Sequence, residues 1–126
     1  MYPEKLRYSP EHTWARVEGN RAVVGITHYA QEQLGDVVYV ELPEAGQEFA
    51  QHEVFGVVES VKSVNDLYSP VSGIVVKRND ALLDQPEIIN RDPYGEGWMI
   101  VLEMKDRAEL EKLLSAEDYR RQVEEG

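Results

Sequence analysis

The sequence predicts an all-β fold of the sandwich or barrel type, with only minor helices. Short runs rich in β-branched and aromatic residues recur along the chain, and turn-forming residues separate them at intervals of about 8–12 residues. Helical periodicity is confined to one short segment near Tyr29 and to the C-terminal end.

The predicted strands follow one another through most of the chain. They cover residues 6–17 with a turn at Ser9-Pro10, then residues 21–26, 36–42, 55–61, 74–76 and 98–104. Residues 18–20 predict a hairpin turn and residues 43–46 a second turn. Residues 90–97 contain so many breakers that we expect irregular structure there.

The predicted helices are short. Thr27 is a suitable N-cap for a helix that ends at Gly35, and its few apolar positions indicate that it lies on the surface of a sheet. Residues 79–83 predict a loop or a single helical turn. Leucines at helical spacing in residues 107–114, and an N-cap at Ser115, predict two small C-terminal helices.

The stretch from residue 55 to residue 76 is the most informative part of the chain. Its two apolar runs flank a polar segment, which predicts a strand, a tight turn carrying Lys62 and a second strand. Glu59 precedes this lysine and Asp66 follows it. A lysine at a rigid turn projects its ammonium group into solvent, so Lys62 is a candidate modification site. The alternative is that it is an ordinary exposed lysine.

The composition excludes several functional classes. The 126 residues carry 13 basic and 24 acidic side chains and a net charge of −11, so we expect no binding to nucleic acid. No run approaches the ~20 apolar residues of a membrane span, and the N-terminus lacks the pattern of a secretory signal. The absence of Cys fits a reducing compartment. We therefore expect a cytoplasmic monomer.

No catalytic set is recognisable in the sequence. His12, His28 and His52 are dispersed without a metal-binding spacing, and there is no Cys nucleophile, phosphate-binding loop or serine-hydrolase motif. Carboxylate pairs are uninformative in so acidic a chain. We expect a protein that is not an enzyme and whose function is to display Lys62.

The sequence around Lys62 also resembles that of a known family. Its segments ESVKS (residues 59–63) and DLYSPVSG (residues 66–73) are similar to the lipoyl-attachment segment of the glycine cleavage system H-protein family. The likeness extends from about Tyr8 to Tyr119. Its other matching segments are residues 24–27, 30–31, 34–36, 39–43, 90, 92–98 and 110–119.

The resemblance implies a more specific architecture than the strand pattern does. It implies a lipoyl-domain-like barrel-sandwich hybrid of two antiparallel sheets. We expect residues 1–126 to form one carrier domain, with a core over about residues 6–105 and a helical appendage at residues 106–124.

The resemblance further implies that lipoic acid is amide-linked to Lys62, with Glu59, Ser60 and Asp66 as its hairpin neighbours. A lipoate ligase or octanoyltransferase would attach the group. The arm would accept an aminomethyl group from glycine at a pyridoxal-phosphate decarboxylase (the P protein). It would present this group to a tetrahydrofolate-dependent aminomethyltransferase (the T protein) and be reoxidised by a dihydrolipoyl dehydrogenase (the L protein).

Asp66 is the candidate for holding the protonated amine of the loaded arm, since a carboxylate forms charge-assisted hydrogen bonds with it. The alternative role for Asp66 is a turn residue that bonds its own backbone. The chain departs from the family pattern in three places. Thr13 replaces an acid, His28 replaces an aspartate, and Gln51-His52 replaces Lys-Gly.

The sequence is also compatible with other functions. A 2-oxo-acid dehydrogenase lipoyl domain usually has Asp before and Ala after its lysine, whereas Val61 and Ser63 flank Lys62. The chain is also compatible with an H-like lipoyl donor or relay for such complexes. A third possibility is an unmodified acidic β-domain that binds a protein partner.

Overall fold

Residues 2–125, which the computed structural model describes, contain nine strands in two antiparallel sheets. The larger sheet has the spatial order β1 (Arg7–Tyr8), β2 (Thr13–Glu18), β3 (Arg21–Ile26), β9 (Ile100–Met104), β8 (Gly73–Arg78) and β5 (Glu48–Phe49). The smaller sheet has the order β4 (Val37–Glu41), β6 (Val54–Ser60) and β7 (Val64–Tyr68). The predicted all-β class with two antiparallel sheets is confirmed.

Four short α-helices and one 3₁₀ helix connect or flank these strands within residues 2–125. They are α1 (His28–Leu34), α2 (Ala81–Asp84), α3 (Ile88–Arg91), the 3₁₀ helix (Arg107–Lys112) and α4 (Ala116–Glu125). None of these helices is both long and apolar enough to cross a membrane.

The ends of α1 are capped as the sequence predicts. The hydroxyl of Thr27 accepts a hydrogen bond from the backbone amide of Ala30 at 3.1 Å. At the other end the amide of Gly35 donates to the carbonyl of Gln31 at 3.0 Å. Gly35 has a φ of 77°, a left-handed conformation that glycine adopts without steric cost. These caps fix the length of the helix.

One core lies between the two sheets. It combines buried residues of the larger sheet, such as Val24 and Leu102, with residues of the smaller sheet, such as Val40 and Val58. A second cluster packs around Trp14, which is fully buried and donates its indole N–H to the carbonyls of Ile26 and Pro93 at 2.9 and 3.1 Å. This indole joins the end of β3 to the loop after α3.

The central segment differs from its prediction in one respect. The polar residues after Lys62 form strand β7, which pairs with β6, while the second apolar run belongs to β8 in the other sheet. β7 is an edge strand in which only Leu67 is buried. A strand with so little buried surface needs few apolar residues, so the apolar pattern misses it.

Two smaller predictions also need correction. The first two residues of the segment expected to be irregular, Asn90 and Arg91, complete helix α3. The predicted helix over residues 107–114 is a 3₁₀ helix that ends at Lys112. The second C-terminal helix is confirmed, and the hydroxyl of Ser115 accepts a bond from the Asp118 amide at 3.1 Å.

Candidate functional site

Lys62 lies in the turn that joins β6 to β7, and its side chain is exposed. The buried hydroxyl of Ser60 accepts hydrogen bonds from the backbone amides of Lys62 and Ser63 at 3.3 and 3.2 Å. The Ser60 amide in turn donates to the Ser63 carbonyl at 2.8 Å. The turn is therefore fixed by its own serine, and Ser60 acts by holding the backbone that carries the lysine.

The residues on either side of Lys62 are exposed as well. The valines on either side of the turn, Val61 and Val64, are 71% and 64% exposed. The lysine runs past the C-terminal end of α1, where a Cβ atom placed on Gly35 would lie 3.5 Å from Lys62 Cε. Glu59 is half-buried within β6, opposite Val64 of β7. Glu59 and Asp66 thus occupy the two strands of the hairpin and not its tip.

An open cleft of about 570 Å³ begins beside this hairpin and follows α1. Its walls come from α1, from β7 and from the loop between β1 and β2. Its apolar lining residues are Ile26, Leu34, Val58 and Leu67. Its polar lining residues include Glu11, His12, Thr13, Ser63, Asn65 and Asp66. The sequence gives no indication of this cleft, because its walls are far apart along the chain.

Asp66 is exposed, lies within β7 opposite Val57, and contributes to the cleft. The alternative role as a turn residue bonding its own backbone is wrong, because Asp66 is part of a paired strand. Within residues 2–125 its carboxylate makes no such bond. A carboxylate in this position is available to a cation that enters the cleft.

The three departures from the family pattern have different positions relative to the cleft. Thr13 lines it, but this hydroxyl is within hydrogen-bond distance of both the Tyr68 carbonyl, at 3.0 Å, and the Ser9 hydroxyl, at 2.8 Å. His28 is not a lining residue and lies 3.7 Å from Glu32 instead. His52 contacts the lining residue Glu11, with Nδ1 and Oε1 separated by 2.8 Å. The cleft therefore retains two carboxylates, Glu11 and Asp66.

The titratable residues that line the cleft include Glu11, His12 and Asp66. Within residues 2–125, no group of three or more His, Cys, Asp or Glu side chains could hold a metal ion. Burial lowers the pKa of His12, against the opposing charge of Glu11, so this ring is neutral near pH 7. An exposed lysine on a fixed turn, next to a cleft with apolar and acidic lining, is an arrangement suited to a carrier domain.

Comparison with known proteins identifies the kind of carrier. The model of the glycine cleavage H-protein family matches residues 6–126. A glycine cleavage system H protein from Symbiobacterium thermophilum is 60% identical over 124 residues, which are 98% of this chain and 97% of that protein. The H protein of Bacillus subtilis is 54% identical over 123 residues, covering 98% and 97% of the two chains.

A solved structure agrees with these relatives. The crystal structure of a glycine cleavage system H protein from Mycobacterium marinum superposes with a TM-score of 0.85 at 38% identity, covering 95% of this chain and 97% of that one. The chain belongs to the glycine cleavage H-protein family. The predicted family, the lipoyl-domain-like architecture and the role as the carrier protein of the glycine cleavage system are thereby confirmed.

Proposed function

We propose that Lys62 carries a lipoyl group in amide linkage and that the cleft along α1 receives the far end of this arm. The observation that carries the proposal is the position of Lys62, exposed on a fixed turn at the start of the cleft. An amide at Nζ removes the ammonium charge, so the arm can enter a cleft whose lining includes Leu34 and Val58.

The residues present fit such a group. The apolar lining suits its hydrocarbon chain, and the exposed Nζ leaves room for the enzyme that forms the amide. When bound, the lipoyl group supplies a disulfide, one sulfur of which carries the aminomethyl group, and its dithiol form gives up two electrons when it is reoxidised. This chain supplies no catalytic residue. It provides the attachment point and the shelter.

Two carboxylates in the cleft make it selective for a positively charged group on the arm. Asp66 enters from β7 and Glu11 from the β1–β2 loop, and Glu11 is oriented by His52 at 2.8 Å. Both attract the protonated amine of the cargo and exclude competing anions. They supply the acidic character that the substitution at Thr13 removes.

The partners follow from this role. A lipoate ligase or octanoyltransferase modifies Lys62. The P protein loads the arm, the T protein unloads it and the L protein reoxidises it. The net charge of −11 favours encounter with basic surfaces on partner proteins.

Lys62→Arg tests the attachment. Arginine keeps the charge but cannot form the amide, so we expect loss of glycine–CO2 exchange with the P protein and an unchanged thermal unfolding midpoint. Lys112→Arg, at another exposed lysine, is the matched control and should keep full exchange. Exchange at the unsubstituted rate in the Lys62 variant would rule out the proposal.

Asp66→Asn tests the shelter. Removing this charge should shorten the lifetime of the loaded arm in water several-fold while the rate of lipoylation stays the same. Asp84→Asn changes an exposed aspartate outside the cleft and should leave the lifetime unaltered. Equal lifetimes in the two variants would exclude Asp66 from this role.

A further inference from the structure

His12 lies on the wall of the cleft in a conformation that the surrounding backbone imposes. It has a φ of 73°, which few residues other than glycine adopt. Its amide donates to the Ser9 carbonyl and its carbonyl accepts from the Thr27 amide, both at 3.1 Å. The ring is therefore held between the β1–β2 loop and the N-terminal end of α1, 5.0 Å from the ring of Tyr29.

A hydrogen-bonded relay connects this ring to the C-terminal helix. Nδ1 of His12 lies 2.7 Å from the hydroxyl of Tyr119, and the same hydroxyl lies 2.7 Å from the hydroxyl of Thr27. Thr27 also accepts the amide of Ala30 as the N-cap of α1. Tyr119 and Thr27 are both fully buried, so neither of these two hydroxyl groups can turn to water.

Counting protons assigns the donors in the relay. Burial raises the pKa of Tyr119, so the phenol carries one proton and can donate only one of its two bonds. If Tyr119 donated to Thr27, the threonine proton would be buried without an acceptor. If Thr27 donates to Tyr119 and Tyr119 donates to His12, every buried proton has a partner. Nδ1 of His12 is then an acceptor, and the proton of the neutral ring lies on Nε2.

This assignment leaves Nε2–H free to bind a ligand. No hydrogen bond of Nε2 is present within residues 2–125, and no buried side-chain nitrogen or oxygen lacks a partner there. Nε2 of this half-buried residue must therefore be accessible. His12 is also one of the residues that line the cleft, so an N–H donor without a protein partner belongs to the lining.

The position of His12 indicates which part of the arm it meets. Lys62 lies at the C-terminal end of α1, beside Gly35, whereas His12 contacts Thr27 at the N-terminal end. The seven residues of α1 separate the two ends by about 10 Å. The linking amide stays near Lys62, so the part of the arm that reaches His12 is its sulfur-bearing end.

We propose that His12, held as an Nε2–H donor by Tyr119 of α4, binds the sulfur end of the lipoyl arm. This inference rests on the proposed function and adds a residue to it. The neutral ring donates to sulfur without repelling the protonated amine that Glu11 and Asp66 attract. Its titratable neighbours are Glu11, Tyr29 and Tyr119. Helix α4 thereby acts as a positioning element for the cleft.

A pair of substitutions separates this role from a structural one. His12→Gln keeps an N–H donor at the place of Nε2, whereas His12→Asn keeps a polar group only at the place of Nδ1. Asparagine fits a positive φ better than glutamine does. A purely structural role therefore predicts that the Asn variant behaves more like the unsubstituted chain, and the binding role predicts the opposite.

The experiment uses the full lipoylated chain, with modification checked first by intact mass. We expect nitrogen NMR to show the Nε2–H form of His12, and Tyr119→Phe to increase the Nδ1–H form. Without the T protein, loaded arm should decay about fivefold faster in the His12→Asn and Tyr119→Phe variants, the factor expected for one lost hydrogen bond, and within twofold of normal in His12→Gln.

The outcomes distinguish the two proposals. An unmodified Lys62 overturns the proposed function, and with it this binding role, before any lifetime is measured. A lipoylated chain with unchanged lifetimes in His12→Asn, or with the Nδ1–H form in the unsubstituted protein, overturns the role of His12 alone. Faster decay of the loaded arm in the His12→Gln variant than in the His12→Asn variant would also overturn the role of His12 alone.

Discussion

Asn90 holds the end of the cleft wall in place, which makes its substitution a sensitive test of the site geometry. Its Oδ1 accepts the amide of Val37 at 2.9 Å, where β4 begins. Its Nδ2 donates to the carbonyl of Gly35 at 2.8 Å and to Oε1 of Gln31 at 3.0 Å. One side chain therefore joins α3 to the C-terminal end of α1 and to the smaller sheet.

Asn90→Asp preserves the shape of this side chain but replaces its hydrogen-bond donor, the amide nitrogen, with an acceptor oxygen. The acceptor for Val37 remains, but an oxygen replaces the amide nitrogen that faces two other oxygens. Two lost bonds cost about 1 kcal/mol each, and a half-buried charge beside two acceptors adds to this, so we expect a loss of roughly 2–4 kcal/mol in the free energy of unfolding.

Urea unfolding followed by tryptophan fluorescence measures this loss at pH 7. Asn20→Asp is the matched control, because that exposed side chain makes one long bond, 3.3 Å to the carbonyl of Met104. The difference between the variants should narrow near pH 4, since a neutral carboxyl can donate one bond again. Equal losses in the two variants, or a difference independent of pH, would show that the side chain of Asn90 does not hold α1 and β4 in place.

Three other predictions concern stability. Gly25→Ala would place Cβ 2.6 Å from Cζ2 of Trp14, so urea unfolding should show a loss of about 1–3 kcal/mol; an unchanged midpoint would mean that the indole moves freely. Because burial lowers the pKa of His12, the unfolded ring takes up its proton first, and unfolding free energy should fall as the pH drops below about 6.5. The His12→Gln variant should lack the part of this fall that comes from His12. The same dependence of unfolding free energy on pH in both proteins would contradict the lowered pKa of His12. At high pH, burial raises the pKa of Tyr94 to about 12 and raises those of two further tyrosines, Tyr8 and Tyr119. Unfolding free energy should therefore fall above about pH 10, where unfolded phenols ionise, and complete phenolate absorbance near pH 10 in a folded chain would contradict this.

Local sequence patterns predict most strands and both ends of α1, because alternation, turn residues and caps act within a few positions. They fail at β7, whose polar residues have one buried neighbour, Leu67. They also assign the second apolar run to the wrong hairpin. Pairing partners depend on the path of the whole chain and not on the strand itself.

The candidate site is predicted in part for the same reason. Lys62 and Asp66 are recognisable because they belong to one continuous segment. The cleft is not, since its walls come from separate elements. His12 and Tyr119 are 107 positions apart, and Asn90 is 55 positions from Gly35. No local signal reports such contacts, although the family resemblance includes both Asn90 and Tyr119 among its matching positions.

The lipoyl group that we propose on Lys62 can be located directly. The most direct test is the intact mass of the full chain after expression with lipoate and its ligase, followed by peptide mapping. We expect a mass increase of one lipoyl group located on Lys62, and none in the Lys62→Arg variant. An unmodified chain would contradict this proposal and favour an acidic β-domain that binds its partners without a prosthetic group; a lipoyl group on another lysine would also contradict it.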